Sequence, residues 1–121
     1  MGGWRAFEAR LHFYEDEPVL AWRLSGVLTS SKESYEFLEA LRARLRSEPR
    51  PVVLDLAQVE HITSAGVGII AAAFTSAKNA GVKLVLTSLP AQVKTVLQLV
   101  NFLSVIEHFG SEQEALNRLR E

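Results

Sequence analysis

From Ser64 to Ser76 the chain carries no charged side chain, and most of the stretch is small or apolar: Ala65, Gly66, Val67, Gly68, Ile69, Ile70, Ala71, Ala72, Ala73, Phe74. A run this short does not span a bilayer, so it must be covered by protein on several sides. The spacing predicts a helix packed closely on a sheet. Just before it, Val52-Val53-Leu54-Asp55-Leu56 is apolar and rich in β-branched residues, and Pro51 precedes it. That is the pattern of a buried strand. Gln58 to Thr63 reads as a polar link between the two. Strand, hydroxyl-bearing loop and inner helix together place Thr63 and Ser64 at a positive helix end facing solvent.

The rest of the chain fits around this unit. Phe7 to Tyr14 and Val19 to Leu24 read as a hairpin across the acidic turn Glu15-Asp16-Glu17-Pro18. Ser25-Gly26 breaks the second run, leaving a short extended piece at Val27-Leu28. Ser30 with Glu33 matches a capping box that opens a helix, whose buried face is Phe37, Leu38, Leu41 and Leu45 and which Pro49 and Pro51 end. Asn79-Ala80-Gly81 stops the charge-free helix. Val82 to Thr87 is a further strand, and a third helix starts around Pro90 with the stripe Val93, Val96, Leu97, Val100. After a connector at Asn101-Phe102-Leu103, Val105 to Phe109 is a last strand. Ser111 and Glu114 form a second capping box for a terminal helix with Ala115, Leu116 and Leu119 inward. A hairpin followed by strand–helix alternation predicts an α/β domain with a mixed sheet, later strands parallel, and about four helices. Residues 1–6 read as an N-terminal tail and residues 7–121 as one domain.

Composition excludes several functions. A net charge of −1 supplies no basic field for nucleic acid or anionic lipid, and Arg42, Arg44, Arg46 and Arg50 read as a solvated helix face. There is no cysteine, so no thiolate metal site. His12, His61 and His108 lack paired ligand spacing, and no metal or cofactor is expected. The first residues lack the apolar core of a signal peptide, and the expected location is the cytoplasm.

Three kinds of chemistry compete for the loop. A hydrolase would need Asp55, His61 and Ser64 to converge, but the Gly-x-Ser-x-Gly elbow is absent. Dinucleotide binding would use Gly66 and Gly68 with Ala71 at the third position. No acidic residue ends the next strand and no phosphate-loop lysine is present, so the glycines read instead as letting the helix lie close to the sheet. For the hydroxyls, either Thr63 or Ser64 is an N-cap, worth about 1 kcal/mol, or Ser64 is a phosphoacceptor. A phosphate there would add about −1.5 to −2 charge where a helix N-terminus tolerates it, while repelling a docked partner.

The chain resembles the STAS domain of bacterial anti-sigma-factor antagonists over most of residues 8–120. The likeness rests on Leu24-Ser25-Gly26-Val27-Leu28, Val53-Leu54-Asp55-Leu56-Ala57-Gln58-Val59 and Ile62-Thr63-Ser64-Ala65-Gly66-Val67-Gly68. It continues through Gly81-Val82-Lys83-Leu84-Val85-Leu86 and Pro90-x-x-Val93-x-x-Val96-Leu97. The resemblance implies that Ser64 stands where a kinase-type anti-sigma factor phosphorylates the family's serine, and that phosphorylation abolishes binding. At two positions where the family is commonly acidic, this chain has Thr63 and Thr29, which makes its loop less negative.

The combined reading is a non-enzymatic binding domain. Its partner surface is Thr29, Ser30, Thr63, Ser64, Ala65, Gly66 and Val67, with Ser64 as the switch and Val67 at the centre; Ile70 fits the core equally well. The expected partner is an anti-sigma factor with serine kinase activity, and a homodimer is compatible with the reading. The alternative is a constitutive STAS interaction or scaffold module, in a signalling complex or beside a transporter, without a phosphoswitch.

Overall fold

The structure, a computed structural model, describes residues 3–121. Its elements are β1 (Glu8–His12), β2 (Leu20–Leu28), α1 (Lys32–Ser47), β3 (Val52–Ile62), α2 (Ser64–Asn79), β4 (Leu84–Thr87), α3 (Ala91–Leu99), a 3-10 turn (Phe102–Ser104), β5 (His108–Phe109) and α4 (Glu112–Leu119). The five strands form one sheet in chain order. β1 is antiparallel to β2, and every later pair is parallel. The mixed α/β sheet expected from the sequence is therefore present, with its hairpin first.

Side-chain alternation along the strands decides which helices sit where. Leu20, Trp22, Leu24 and Leu28 of β2, Val52, Leu54 and Leu56 of β3, and Leu84 and Leu86 of β4 join α1, α2 and α3 in the main core. The intervening residues Ala21, Val53 and Val85 face the other way and form a second, thinner layer with Ala115 and Leu119 of α4. Three helices thus cover one face of the sheet and one short helix covers the other.

Several boundaries differ from the sequence reading, each for a tertiary reason. β2 does not break at Ser25-Gly26: it continues to Leu28 because the second half of β3 pairs with it, across two register shifts. For the same reason Gln58 to Ile62, expected to be a polar link, is strand. Only Val59 and Ile62 of that segment are buried, which hides it from a hydropathy reading. Gly26 sits at φ +80, and a Cβ there would lie 2.2 Å from the carbonyl oxygen of Ala6. It is glycine because the incoming N-terminal chain needs that space. The cap of α1 is Ser31, not Ser30: Ser31 Oγ accepts the amide of Ser34 at 3.1 Å. β1 is shorter at both ends than Phe7–Tyr14, β4 begins at Leu84 rather than Val82, and β5 has only His108 and Phe109 of the expected five-residue strand. Val100, placed on the buried stripe of α3, is 54% exposed beyond that helix's last turn. Pro90 is the N-cap of α3, one position earlier than the first helical residue. The Ser111 cap of α4 is as read, accepting the Glu114 amide at 3.2 Å. Glu114 turns back to the amide of Gly110 at 3.1 Å.

Candidate functional site

β3 ends at Ile62, Thr63 is extended at φ −102 and ψ 173, and α2 starts at Ser64. Thr63 takes the capping role: its Oγ1 accepts the amide of Gly66 at 3.1 Å and donates to Thr29 Oγ1 at 2.8 Å. The backbone ties the same two loops together, the Thr63 amide donating to the Leu28 carbonyl at 3.1 Å. So the loop after β2 and the loop after β3 form one surface at the carboxyl ends of adjacent parallel strands, where open α/β sheets commonly bind partners.

The cap being filled by Thr63, Ser64 occupies the first helical position with its side chain exposed. The first turn of α2 contains no acidic residue, so nothing within it offsets the positive helix end. Ser30 and Ala65 are also exposed, and Thr29 is half-buried. Val67, expected at the centre of the surface, is only half-exposed and packs partly on the core. Ile70 is buried and belongs to the core.

The two glycines play different parts. At Gly66 a Cβ would fall 2.1 Å from the carbonyl oxygen of Leu28 and 2.8 Å from Ile62 Cγ1, so the helix start lies directly on the end of β2. Gly68 faces open space and is exposed. The expectation that both glycines bring the helix to the sheet holds for Gly66 alone, because a rotation of two residues carries Gly68 to the outer side.

Two supports have no sequence signal. Gln92, in the first turn of α3, brackets the last residue of β3: its Oε1 accepts the Ile62 amide at 2.9 Å and its Nε2 donates to the Ile62 carbonyl at 3.0 Å. The N-terminal segment lies alongside. Trp4 stacks on His61 at 4.4 Å with planes 9° apart, Arg5 donates its amide and guanidinium to Glu60, and the Arg5 carbonyl accepts the amide of Val27. Trp4 remains 63% exposed.

The residues of a hydrolase triad are not brought together. His61 is engaged with Trp4, and Asp55 Oδ1 accepts the Ala57 amide at 2.9 Å. Among the described residues no three His, Cys, Asp or Glu side chains are arranged to hold a metal, and no helix is long and apolar enough to cross a membrane.

The family model for the STAS domain matches residues 10–115. The chain belongs to the STAS domain family. A curated relative of this STAS domain is the protein named as an anti-sigma factor antagonist, BtrV of Bordetella bronchiseptica. It is 33% identical over 93 residues, which span 76% of this chain and 78% of the relative. The STAS fold is shared with SpoIIAA in its unphosphorylated form, with a TM-score of 0.78 at 17% identity over 93% of this chain and 96% of that one. It is also shared with SpoIIAA of Bacillus in the phosphorylated form, with a TM-score of 0.71 at 15% identity over 93% of this chain and 99% of that one. The murine anion transporter Slc26a9 contains the same fold, with a TM-score of 0.74 at 16% identity. There this STAS domain covers 96% of its own length and 22% of the transporter.

Proposed function

We propose that this STAS domain is an anti-sigma factor antagonist whose docking surface is the Thr29-Ser30 and Thr63–Val67 loops, switched by phosphorylation of Ser64. One observation carries the reading. Thr63 performs the capping, so the neighbouring Ser64 presents a hydroxyl at a positive helix end with no structural duty attached to it. A phosphate there meets the free amides and dipole of α2, which accommodate anions without remodelling. A partner lying over the same loops meets about two negative charges in place of a hydroxyl and is expelled. The likeness of this chain to SpoIIAA in both phosphorylation forms supports a switch that leaves the fold in place. The relationship to BtrV supports an anti-sigma factor as the partner. Such a partner would carry the serine kinase activity and the ATP, and the STAS domain itself performs no catalysis.

Thr63 and Thr29 are neutral and hydrogen-bonded to one another, so the loops hold no carboxylate to orient the hydroxyl or to help the kinase. That pairing, together with the transporter likeness, favours a second reading, in which the same surface binds constitutively. Mass spectrometry of the protein from its own cells separates the two: phosphate on Ser64 is the expected result. Ser64→Glu should weaken binding of the co-purified anti-sigma factor at least about tenfold, equivalent to about 1.4 kcal/mol. Binding as tight as wild type would overturn the switch.

A further inference from the structure

Near their carboxyl ends α1 and α2 part and leave a cleft of about 410 Å³. Leu45 and Ala80 give it an apolar floor, and Arg42, Arg46, Ser76 and Asn79 supply the polar lining. Ser76 lies about 18 Å along α2 from Ser64, so the docking loops have no part in this cleft.

The lining has one sign of charge: two guanidinium groups and no carboxylate. Arg42 reaches from α1 to α2, where its Nε donates to Ser76 Oγ at 3.1 Å. Ser76 is itself fixed, its hydroxyl donating to the Ala72 carbonyl at 2.8 Å and leaving a lone pair for the arginine. Arg42 Nη1 donates to Glu39 at 3.3 Å, and its Nη2 has no partner among the described residues. Arg46 follows one turn later and makes no ion pair among the described residues. Two like charges four residues apart on a helix repel. Arg44 and Arg46 stand in the last turn of α1, where cations offset the helix dipole. That role does not account for Arg42, which lies before that turn and crosses to the other helix.

We propose that the α1–α2 cleft binds a small organic anion, a carboxylate carried on an apolar body, with the carboxylate bridging Arg42 and Arg46 and the apolar part seated on Leu45 and Ala80. The volume falls within the range of small-molecule sites, about 300–1,000 Å³. A planar guanidinium held from two sides is already oriented to receive a carboxylate, and Asn79 adds a neutral amide donor. Glu39 competes for Arg42 but is 69% exposed, so solvent and salt weaken its hold. A carboxylate drawn down onto the apolar floor is shielded from both.

An NMR titration of the intact chain with octanoate tests the site. The amides of Leu45, Ser76, Asn79 and Ala80 should shift saturably, while those of Ser64 to Val67 stay in place. Acetate, which lacks the apolar body, and octanol, which lacks the charge, should each bind at least about tenfold more weakly. Arg46→Gln should weaken octanoate at least about tenfold, the loss of one charged hydrogen-bonding partner, and Arg46→Lys should recover part of it. The acetate and octanol comparisons need no variant, so they hold even if a substitution disturbs the helix pair. Octanol binding as well as octanoate would make the cleft merely apolar and overturn the proposal. Acetate binding equally well would reduce it to exposed arginines and overturn it too, as would shifts centred elsewhere or the absence of saturation. Ser64 phosphorylation plays no part in any of these results, so they stand or fall apart from the switch.

Discussion

Thr63 Oγ1 donates to Thr29 Oγ1 at 2.8 Å while accepting the Gly66 amide at 3.1 Å. One hydroxyl thereby caps α2 and ties together the loops after β2 and β3, two strands that are neighbours in space but lie 34 residues apart at this contact. Ser64 is left with neither task, and the proposed switch depends on that division.

Replacing Thr63 by valine keeps the shape and removes both hydrogen bonds. The expected loss of stability is about 1–2 kcal/mol, in the range of other lost caps, whereas Thr63→Ser should recover most of it. Thermal unfolding of the pair measures the difference. Equal melting temperatures for the valine and serine variants would mean that the hydroxyl does not hold the loop.

The glycines of α2 should respond with opposite signs to the same substitution. Gly66→Ala forces a methyl to within 2.1 Å of the Leu28 carbonyl oxygen, a backbone atom that cannot turn aside, and should cost about 3 kcal/mol or more. Gly68→Ala meets nothing within 4 Å and should stabilise by about 0.5–1 kcal/mol through helix propensity. Denaturant midpoints of the two variants moving in the same direction would contradict the packing described.

Gln92→Leu deletes both hydrogen bonds to Ile62 and leaves that strand end without partners at its amide and carbonyl. A loss of about 1–3 kcal/mol is expected. It should be accompanied by faster exchange of the Ile62 amide, and the exchange measurement distinguishes a local release from general destabilisation. Unchanged Ile62 protection would remove Gln92 from the support of the site.

Glu112 gives the fold a pH dependence on the acid side. Burial opposes its ionisation, but hydrogen bonds from Arg23 and Tyr14 outweigh burial and hold its carboxyl down at about 2. A lowered carboxylate contributes stability above its unfolded value of 4.5, and the contribution is lost as pH falls through about 2. Glu112→Gln should therefore cost on the order of 1 kcal/mol at pH 6, an amount reduced from the ideal by nearby solvent. Its stability should also fall less steeply than wild type between pH 4.5 and pH 2, as followed by urea unfolding at each pH.

Where local chemistry was sufficient, the sequence reading and the structure agree. The charge-free run from Ser64 is a helix because nothing but a packed interior suits it, and Leu38, Leu41 and Leu45 are buried on α1 as their spacing requires. Where two identical groups competed, local reasoning chose wrongly. Ser30 and Ser31 are chemically the same, and Ser31 is the cap because it is the one held extended, at φ −147 and ψ 164, directly before the first helical residue Lys32. Gln58 to Ile62 looked like a loop because its side chains are mostly polar, yet pairing with Ser25–Leu28 makes it strand.

The amino-acid order alone determined the sequence of strands and helices, the buried face of α1 and the presence of hydroxyls at a strand-to-helix turn, because each depends on neighbours a few residues away. The tertiary structure decided which hydroxyl caps and which is exposed, which glycine is pressed against the sheet, and that Gln92 and Glu112 hold distant segments. Those outcomes depend on backbone and side-chain groups contributed from elsewhere in the chain. Their positions exist only once the parallel strands have paired.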